Sequence, residues 1–235
     1  SMDLDVNGLH LGYLRGARAR GVRVVVNCDV LAVDYRNAVW SVTTGQGSFE
    51  APIIVNAAGA WADTIAGLAG LPPLGLVPKR RTAFNLPLPA GADSRGWPMV
   101  DDVGDELYFK PDAGQLLVSP SDATPSDPVD AQPEDLDVAV AVERFERMTR
   151  LPVMRVSRSW AGLRTYAPDG SPVLGWDGGG RGFFWLAGQG GFGIKTSPAL
   201  SRACAAMIHG GDLPADLQQL SLTAEQLSPR RLADA

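Results

Sequence analysis

Cysteine and histidine are almost missing from this chain, with two of each in 235 residues. Cys28 and Cys204 stand far apart, in no CxxC and beside no histidine, and His10 and His209 are equally isolated. That pattern leaves no zinc constellation and no Cys-His or Ser-His-Asp arrangement, and it reads both thiols as small buried hydrophobes. No metal is expected. Long apolar runs are missing too: Val24-Val25-Val26 and Ile53-Ile54-Val55 are strand-sized, against the roughly 20 residues of a membrane helix, so no membrane span is expected. An excess of positive charge is also lacking. At a net charge of -5, nucleic acid is not expected as a partner.

What is present fits a soluble globular protein. A hydrophobic fraction of 45% and a charged fraction of 20% suffice for one sizeable core or two small ones sharing an interface. Ser1-Met2 reads as a residue of tag cleavage before an internal start, with no signal peptide behind it. A fragment is therefore expected, cytoplasmic by default.

The spacing of apolar residues predicts a helix over Leu9 to Arg20, closed by Gly21. Short β-branched stretches at Val22 to Val26, Val30 to Tyr35, Val39 to Thr43 and Ser48 to Glu50 predict an antiparallel meander, followed by an apolar strand at Ile53 to Val55. Asn56-Ala57-Ala58-Gly59-Ala60-Trp61 is then a turn of small residues ahead of a helix at Ala62 to Ala69. Pro72-Pro73 and the run to Pro78 mark a crossing into a second region. There Lys79 to Leu88, Met99 to Asp102, Glu106 to Lys110 and Gln115 to Ser119 predict an antiparallel sheet. An amphipathic helix is expected over Glu134 to Arg150, and a strand over Val153 to Trp160. The last unit pairs a strand, Phe183 to Ala187, with a glycine-rich turn and a helix to about His209. Ser197-Pro198 carries N-cap and N1 chemistry, but a start at Gly193 with Pro198 in the first turn is equally compatible.

Four features carry candidate chemistry. Arg164 closes Trp160-Ala161-Gly162-Leu163-Arg164, a planar fork of donors suited to bidentate capture of a carboxylate; the bland alternative is a salt bridge to a nearby aspartate such as Asp169. The Gly188 to Gly193 turn leads from a strand into a helix and offers amides and a positive dipole end to a ligand, or it serves packing alone. Lys195 lies just beyond it, either solvated or a second carboxylate or flavin partner. Tyr108, mid-strand in Glu106-Leu107-Tyr108-Phe109-Lys110-Pro111, either covers a substrate or is a half-buried sheet residue.

Taken together the motifs resemble the FAD-dependent amine oxidoreductases of the DAO family, which includes glycine oxidase, sarcosine oxidase and D-amino acid oxidase. The matching segments, in order, are residues 55–61, Tyr-Phe-Lys-Pro at 108–111, Trp-Ala-Gly-Leu-Arg at 160–164, Pro-Asp-Gly-Ser-Pro at 168–172 and the glycine run ending at Lys195. The resemblance implies a mixed α+β and α/β fold: a partial Rossmann-like FAD-binding domain at 1–75 with the meander, an antiparallel-sheet substrate domain at 76–155, and a return to the FAD-binding domain at 156–235. It implies that Val30 meets the adenine, that Ala57, Ala58, Gly59 and Trp61 line the dinucleotide, and that Gly190, Gly191, Phe192, Gly193 and Ile194 lie by the isoalloxazine. Arg164 would hold the substrate carboxylate, Tyr108 would cover the site, and Lys195 would contact flavin and carboxylate. Gly162 stands where some members carry a flavin-linking cysteine, so FAD would be held non-covalently.

The family opens with a strand, GxGxxG and a helix, and then an acidic residue for the ribose. This chain is expected to hold no GxGxxG and to start after that region, with roughly a third of the polypeptide supplied elsewhere, on another chain, by a cleaved segment or by a homo-oligomer. The implied activity is oxidation of the C–N bond of a small amino acid such as glycine, sarcosine or a D-amino acid. The alternatives are a 2-hydroxy-acid flavin dehydrogenase, or a non-catalytic subunit that does not bind FAD alone.

Overall fold

The computed structural model describes residues 3–89 and 91–232; Ser1 and Met2 lie outside them. The chain opens with α1 (Val6–Ala19), then β1 (Val30–Arg36), β2 (Val39–Thr44), β3 (Gly47–Ala51) and β4 (Ile54–Asn56), a 3-10 turn at Gly59–Trp61, and α2 (Ala62–Leu68). A middle stretch carries β5 (Val77–Pro87), β6 (Val100–Asp101), β7 (Tyr108–Asp112), β8 (Gln115–Ser119), β9 (Thr124–Pro125), α3 (Asp135–Thr149) and β10 (Arg158–Tyr166). The chain closes with β11 (Val173–Trp176), β12 (Phe183–Ala187), α4 (Gly193–Ile208), α5 (Ala215–Gln218) and α6 (Ala224–Leu227). Two compact units result: one is Val77–Arg164, and the other is built from the described residues on either side of it.

In the outer unit the meander forms as expected, in the order β1-β2-β3, but Val22 to Val26 is not a strand. Its valines have the β-branched character of one and no neighbouring strand to pair with among the described residues. Val22 and Val26 stay 53% and 67% exposed. The Gln46 amide, donating to the carbonyls of Val26 and Asn27, is a side-chain tether on the segment. A second sheet has the order β11-β12-β4, with β12 antiparallel to β11 and parallel to β4. Alternation along β12 decides its burial. Phe183, Trp185 and Ala187 pack with Trp40 and the small α2 residues Ala62 and Ala66, while Phe184 packs with α4 through Leu200, Ala203 and Cys204. Both faces are covered, which is why the strand reads as an unbroken apolar run. Cys204 is buried as expected and burial pushes its thiol up, whereas Cys28 is only half-buried.

The strand β11 falls in a stretch for which the sequence predicts no element, and it forms by antiparallel pairing with β12. The start of α4 also settles one way. Phe192 is the N-cap, so Ser197 lies inside the helix and Pro198 falls beyond the first turn. A proline at 198 cannot donate to the carbonyl four residues back. The Ser197 hydroxyl donates to that same Ile194 carbonyl at 2.9 Å and replaces the lost bond.

Close approach of β12 and the segment before β4 requires Gly182. Its φ is 74°, and a Cβ there would stand 2.5 Å from the Pro52 carbonyl oxygen. Its own carbonyl accepts from Ile54 N at 3.0 Å. Gly182→Ala is expected to cost about 2 kcal/mol through the left-handed φ and the clash. Urea unfolding checks this, and a variant indistinguishable from wild type would show that the junction has slack.

The middle unit is a six-stranded sheet in the order β10-β5-β8-β7-β6, with β9 added to β5. The strand expected at Val153 starts later, at Arg158, because Leu151, Val153 and Val156 turn their side chains into the apolar cluster beneath α3. Phe84 and Leu86 of β5 face Ala141 and Phe145 of α3 in that cluster. The alternate residues Arg81, Ala83 and Asn85 therefore lie on the opposite face of the sheet. Arg80, on the α3 side, is ringed by carboxylates: Asp137 at 2.9 Å, Asp122 at 3.7 Å, and Glu134.

Candidate functional site

Because β4 and β12 run parallel with Trp185 opposite Asn56, the turns that follow them leave the same carboxyl edge of the sheet. The crevice beyond such an edge is where open α/β sheets bind ligands. The first turn is held from within. Asn56, 2% exposed, donates from Nδ2 to the Ala62 carbonyl at 2.8 Å and accepts from Ala58 N at 3.3 Å. Ala57, Ala58 and Gly59 are thereby fixed, Gly59 at φ 57°, and Trp61 is left 44% exposed. Asp63 secures the exit by accepting from Leu74 N and Leu76 N at 2.9 and 2.8 Å. Asn56 and Asp63 are positioning residues that motif reading passed over; an Asn at a strand end followed by small residues was the available signal.

The second turn is pinned to Thr165 and Tyr166. Gly190 N donates to the Thr165 carbonyl at 2.8 Å, and Gln189 bridges Tyr166. Gly190 has φ 52°, and a Cβ there would meet the Tyr166 ring at 2.6 Å, so no other residue fits without moving the ring. Gly188, Gly190 and Gly193 also have the spacing G-x-G-x-x-G between a strand and a helix. The expectation that the chain holds no such spacing is therefore wrong: it occurs once, after β12, where a Cβ on Gly190 would meet the Tyr166 ring. Phe192 caps α4 without a side-chain acceptor, and the first turn carries no acidic residue. The leading amides and the positive dipole end are left for an acceptor from outside the helix. Phe192 and Ile194 are 48% and 45% exposed beside them, and Lys195 places its Nζ 4.4 Å from the Phe192 ring centre. Val30 opens β1 and packs against the apolar cluster of the same unit.

Tyr108, Gly162 and Arg164 belong to the other unit. Tyr108 is half-buried, opposite Ser119 and Asp101, on the sheet face away from α3. Nothing lies within 4 Å of where a Cβ of Gly162 would stand. Arg164 is half-buried and has no hydrogen bond or ion pair among the described residues. Its alternative partner is taken: Asp169 pairs with Arg231 through Nε at 2.7 Å and a second guanidinium nitrogen at 3.1 Å. Arg231 further donates to the Ser171 and Ser228 carbonyls, so Pro168 to Pro172 anchors the carboxyl-terminal segment.

The Arg231 hydrogen bonds hold the Asp169 carboxyl below its ordinary value of 3.8, against the opposing effect of burial. A lowered carboxyl stabilises the fold above its ordinary value and loses that contribution as pH falls through the lowered one. Asp169→Asn is expected to cost about 1 kcal/mol at neutral pH. The two proteins should converge in strong acid, and a gap in urea midpoint that persists there would contradict this role.

Among the described residues no group of His, Cys, Asp or Glu is placed to hold a metal, and no helix is long and apolar enough to cross a membrane.

The sequence profile described as DAO, FAD dependent oxidoreductase, matches residues 2–207. Mouse mitochondrial sarcosine dehydrogenase is 27% identical over 88% of this chain and 24% of its own length. Rat mitochondrial dimethylglycine dehydrogenase is 27% identical over 92% of the chain and 27% of its own length. The chain thus spans about a quarter of these curated relatives. Among solved structures, glycine oxidase from Geobacillus kaustophilus superposes with a TM-score of 0.75 at 24% identity, covering 92% of this chain and 57% of that one. L-proline dehydrogenase from P. horikoshii gives 0.77 at 22% identity, covering 96% and 59%. Both share this fold.

Proposed function

Since the chain belongs to the DAO family of FAD-dependent oxidoreductases, we propose that its parent protein oxidises the C–N bond of a small amino acid such as glycine, sarcosine or a D-amino acid. The observation that carries this reading is Arg164: a half-buried arginine on a sheet strand whose guanidinium has no carboxylate partner among the described residues. Its planar fork of donors is free to take a substrate carboxylate bidentately.

The residues of the outer unit fit FAD. Ala57 to Gly59 and Trp61, with Val30, would line the dinucleotide along one turn. Gly190 to Ile194 would lie under the ring system, where bare backbone permits close contact and the uncapped start of α4 favours an electron-rich edge. Gly162 offers no thiol, so the cofactor would be held non-covalently. When bound, FAD supplies a two-electron acceptor for the hydride on the carbon next to the amine. The chain's side chains orient the substrate: Arg164 fixes the carboxylate, Lys195 adds a second positive charge, and Tyr108 covers the amine side and limits water. The amine enters neutral, and the imine it becomes is released to hydrolysis. The rest of the cofactor site would come from polypeptide outside this chain, in keeping with the share of the relatives that it spans.

A product assay on the FAD-loaded whole protein tests the reading. Glycine, sarcosine and D-alanine should release ammonia or methylamine with the matching oxo acid. Turnover of 2-hydroxy acids in their place would overturn it.

A further inference from the structure

Adjacent arginines on β5 have opposite fates. Arg80 is surrounded by Asp122, Glu134 and Asp137 on the α3 side of the sheet. Arg81, on the other face, has no ion pair or hydrogen bond among the described residues, and its Nε is fully buried. The neighbouring chain repeats the pattern. Thr124 pairs with Arg80, and the Asp122 carboxylate accepts from Thr82 N at 2.6 Å, so residues 121–124 run beside residues 80–82. In that stretch the Ser121 hydroxyl is likewise buried without a partner. Along this short stretch three donor atoms, Arg80 Nε, Arg81 Nε and Ser121 Oγ, lack a hydrogen-bond acceptor, but only Arg80 has carboxylates to balance its charge. Native structures leave few such groups without water, an ion or a ligand to complete them.

The face that carries Arg81 is also the face of Tyr108. Tyr108 pairs with Ser119, whose neighbour Val118 pairs with Phe84 on the α3 side, and Arg81 is three residues from Phe84. Alternation puts Arg81, Ala83, Ser119 and Tyr108 together, with only small side chains between the arginine and the tyrosine. Arg164 stands on β10, the strand next to β5. Two uncommitted guanidiniums thus occupy neighbouring strands of one sheet.

We propose that Arg81, aided by Ser121, binds a second carboxylate of the substrate, so that the enzyme prefers amino acids bearing two carboxylates over glycine or sarcosine. This inference rests on the amine-oxidation reading for its reaction, while its binding claim stands on β5 alone. Arg81 would be a specificity-determining residue, with Arg164 holding the carboxylate next to the reacting carbon and Arg81 holding the distal one.

The test uses the FAD-loaded whole protein with aspartate, N-methylaspartate and iminodiacetate against glycine and sarcosine, and with succinate against acetate as unreactive probes. Wild type should favour the dicarboxylic amines. Arg81→Gln should lower the ratio of kcat/KM for dicarboxylic over monocarboxylic amines roughly thirtyfold and weaken succinate binding by a similar factor, with Arg81→Lys recovering part of both. Equal effects on both substrate classes, or succinate binding no tighter than acetate and insensitive to Arg81→Gln, would overturn the proposal. If no amine of either kind is oxidised, the amine reading fails, and succinate calorimetry still decides the role of Arg81.

Discussion

Arg164→Ala in the FAD-loaded whole protein is expected to raise KM for its amino acid substrate roughly 100-fold, about 2.7 kcal/mol of lost binding. That size follows from removing a bidentate, charge-assisted pair in a half-buried place, where each charged hydrogen bond is worth about 1.5–3 kcal/mol. The loss should fall on KM more than on flavin content, because Arg164 belongs to the middle unit while the glycine turn and Ala57 to Trp61 belong to the other. Arg164→Lys separates charge from shape. A lysine keeps the cation without the fork and should recover only part of the affinity. Steady-state kinetics with a flavin absorbance spectrum on each variant provides both readouts. An unchanged KM would remove the carboxylate role from Arg164.

The second large effect is on stability. Arg80→Ala is expected to destabilise the middle unit by about 3 kcal/mol, because it strands carboxylates that the fold has partly withdrawn from water. Asp122 is the most enclosed, its side chain 7% exposed and fixed by the amide and hydroxyl of Thr82. Asp137 is 23% exposed and Glu134 58% exposed, so most of the penalty arises at Asp122 and Asp137. Burial alone would lower the Arg80 pKa, and the hydrogen bonds it donates to Glu134 and Asp137, with the charges of those carboxylates, outweigh it and raise it. The guanidinium is therefore a fixed charge at any pH where the protein folds. Urea unfolding measures the change. Arg81→Gln, one residue along, removes no ion pair and should cost much less; equal losses at the two positions would contradict the division between them.

Much of this was legible in the residues. The strand at Phe183–Ala187, the meander after Val30 and the sheet at Val77–Ser119 follow from apolar runs and alternation, which are consequences of burial on one or two faces. The family was legible because short motifs separated by more than 100 residues occur in order, from Val55-Asn56-Ala57 to Gly193-Ile194-Lys195. Other features were not. Val22 to Val26 has strand propensity, but a strand also needs a neighbour, and pairing is not written in a single segment. The Asp169–Arg231 pair joins residues 62 apart, so Asp169 read as a candidate for Arg164 only because it is close in sequence. The contrast between Arg80 and Arg81 depends on which face of β5 meets α3, and that is settled by long-range packing.

On the proposed reading, the turns after β4 and β12 form one part of a non-covalent FAD site. Flavin retention through gel filtration tests it most directly, comparing the 235-residue chain alone with the same chain in a longer polypeptide carrying an amino-terminal GxGxxG segment. The chain alone should elute colourless, the longer polypeptide should elute with flavin, and acid precipitation should release all of that flavin as FAD. A longer polypeptide that folds and elutes without flavin, or flavin that stays with the acid precipitate, would contradict it.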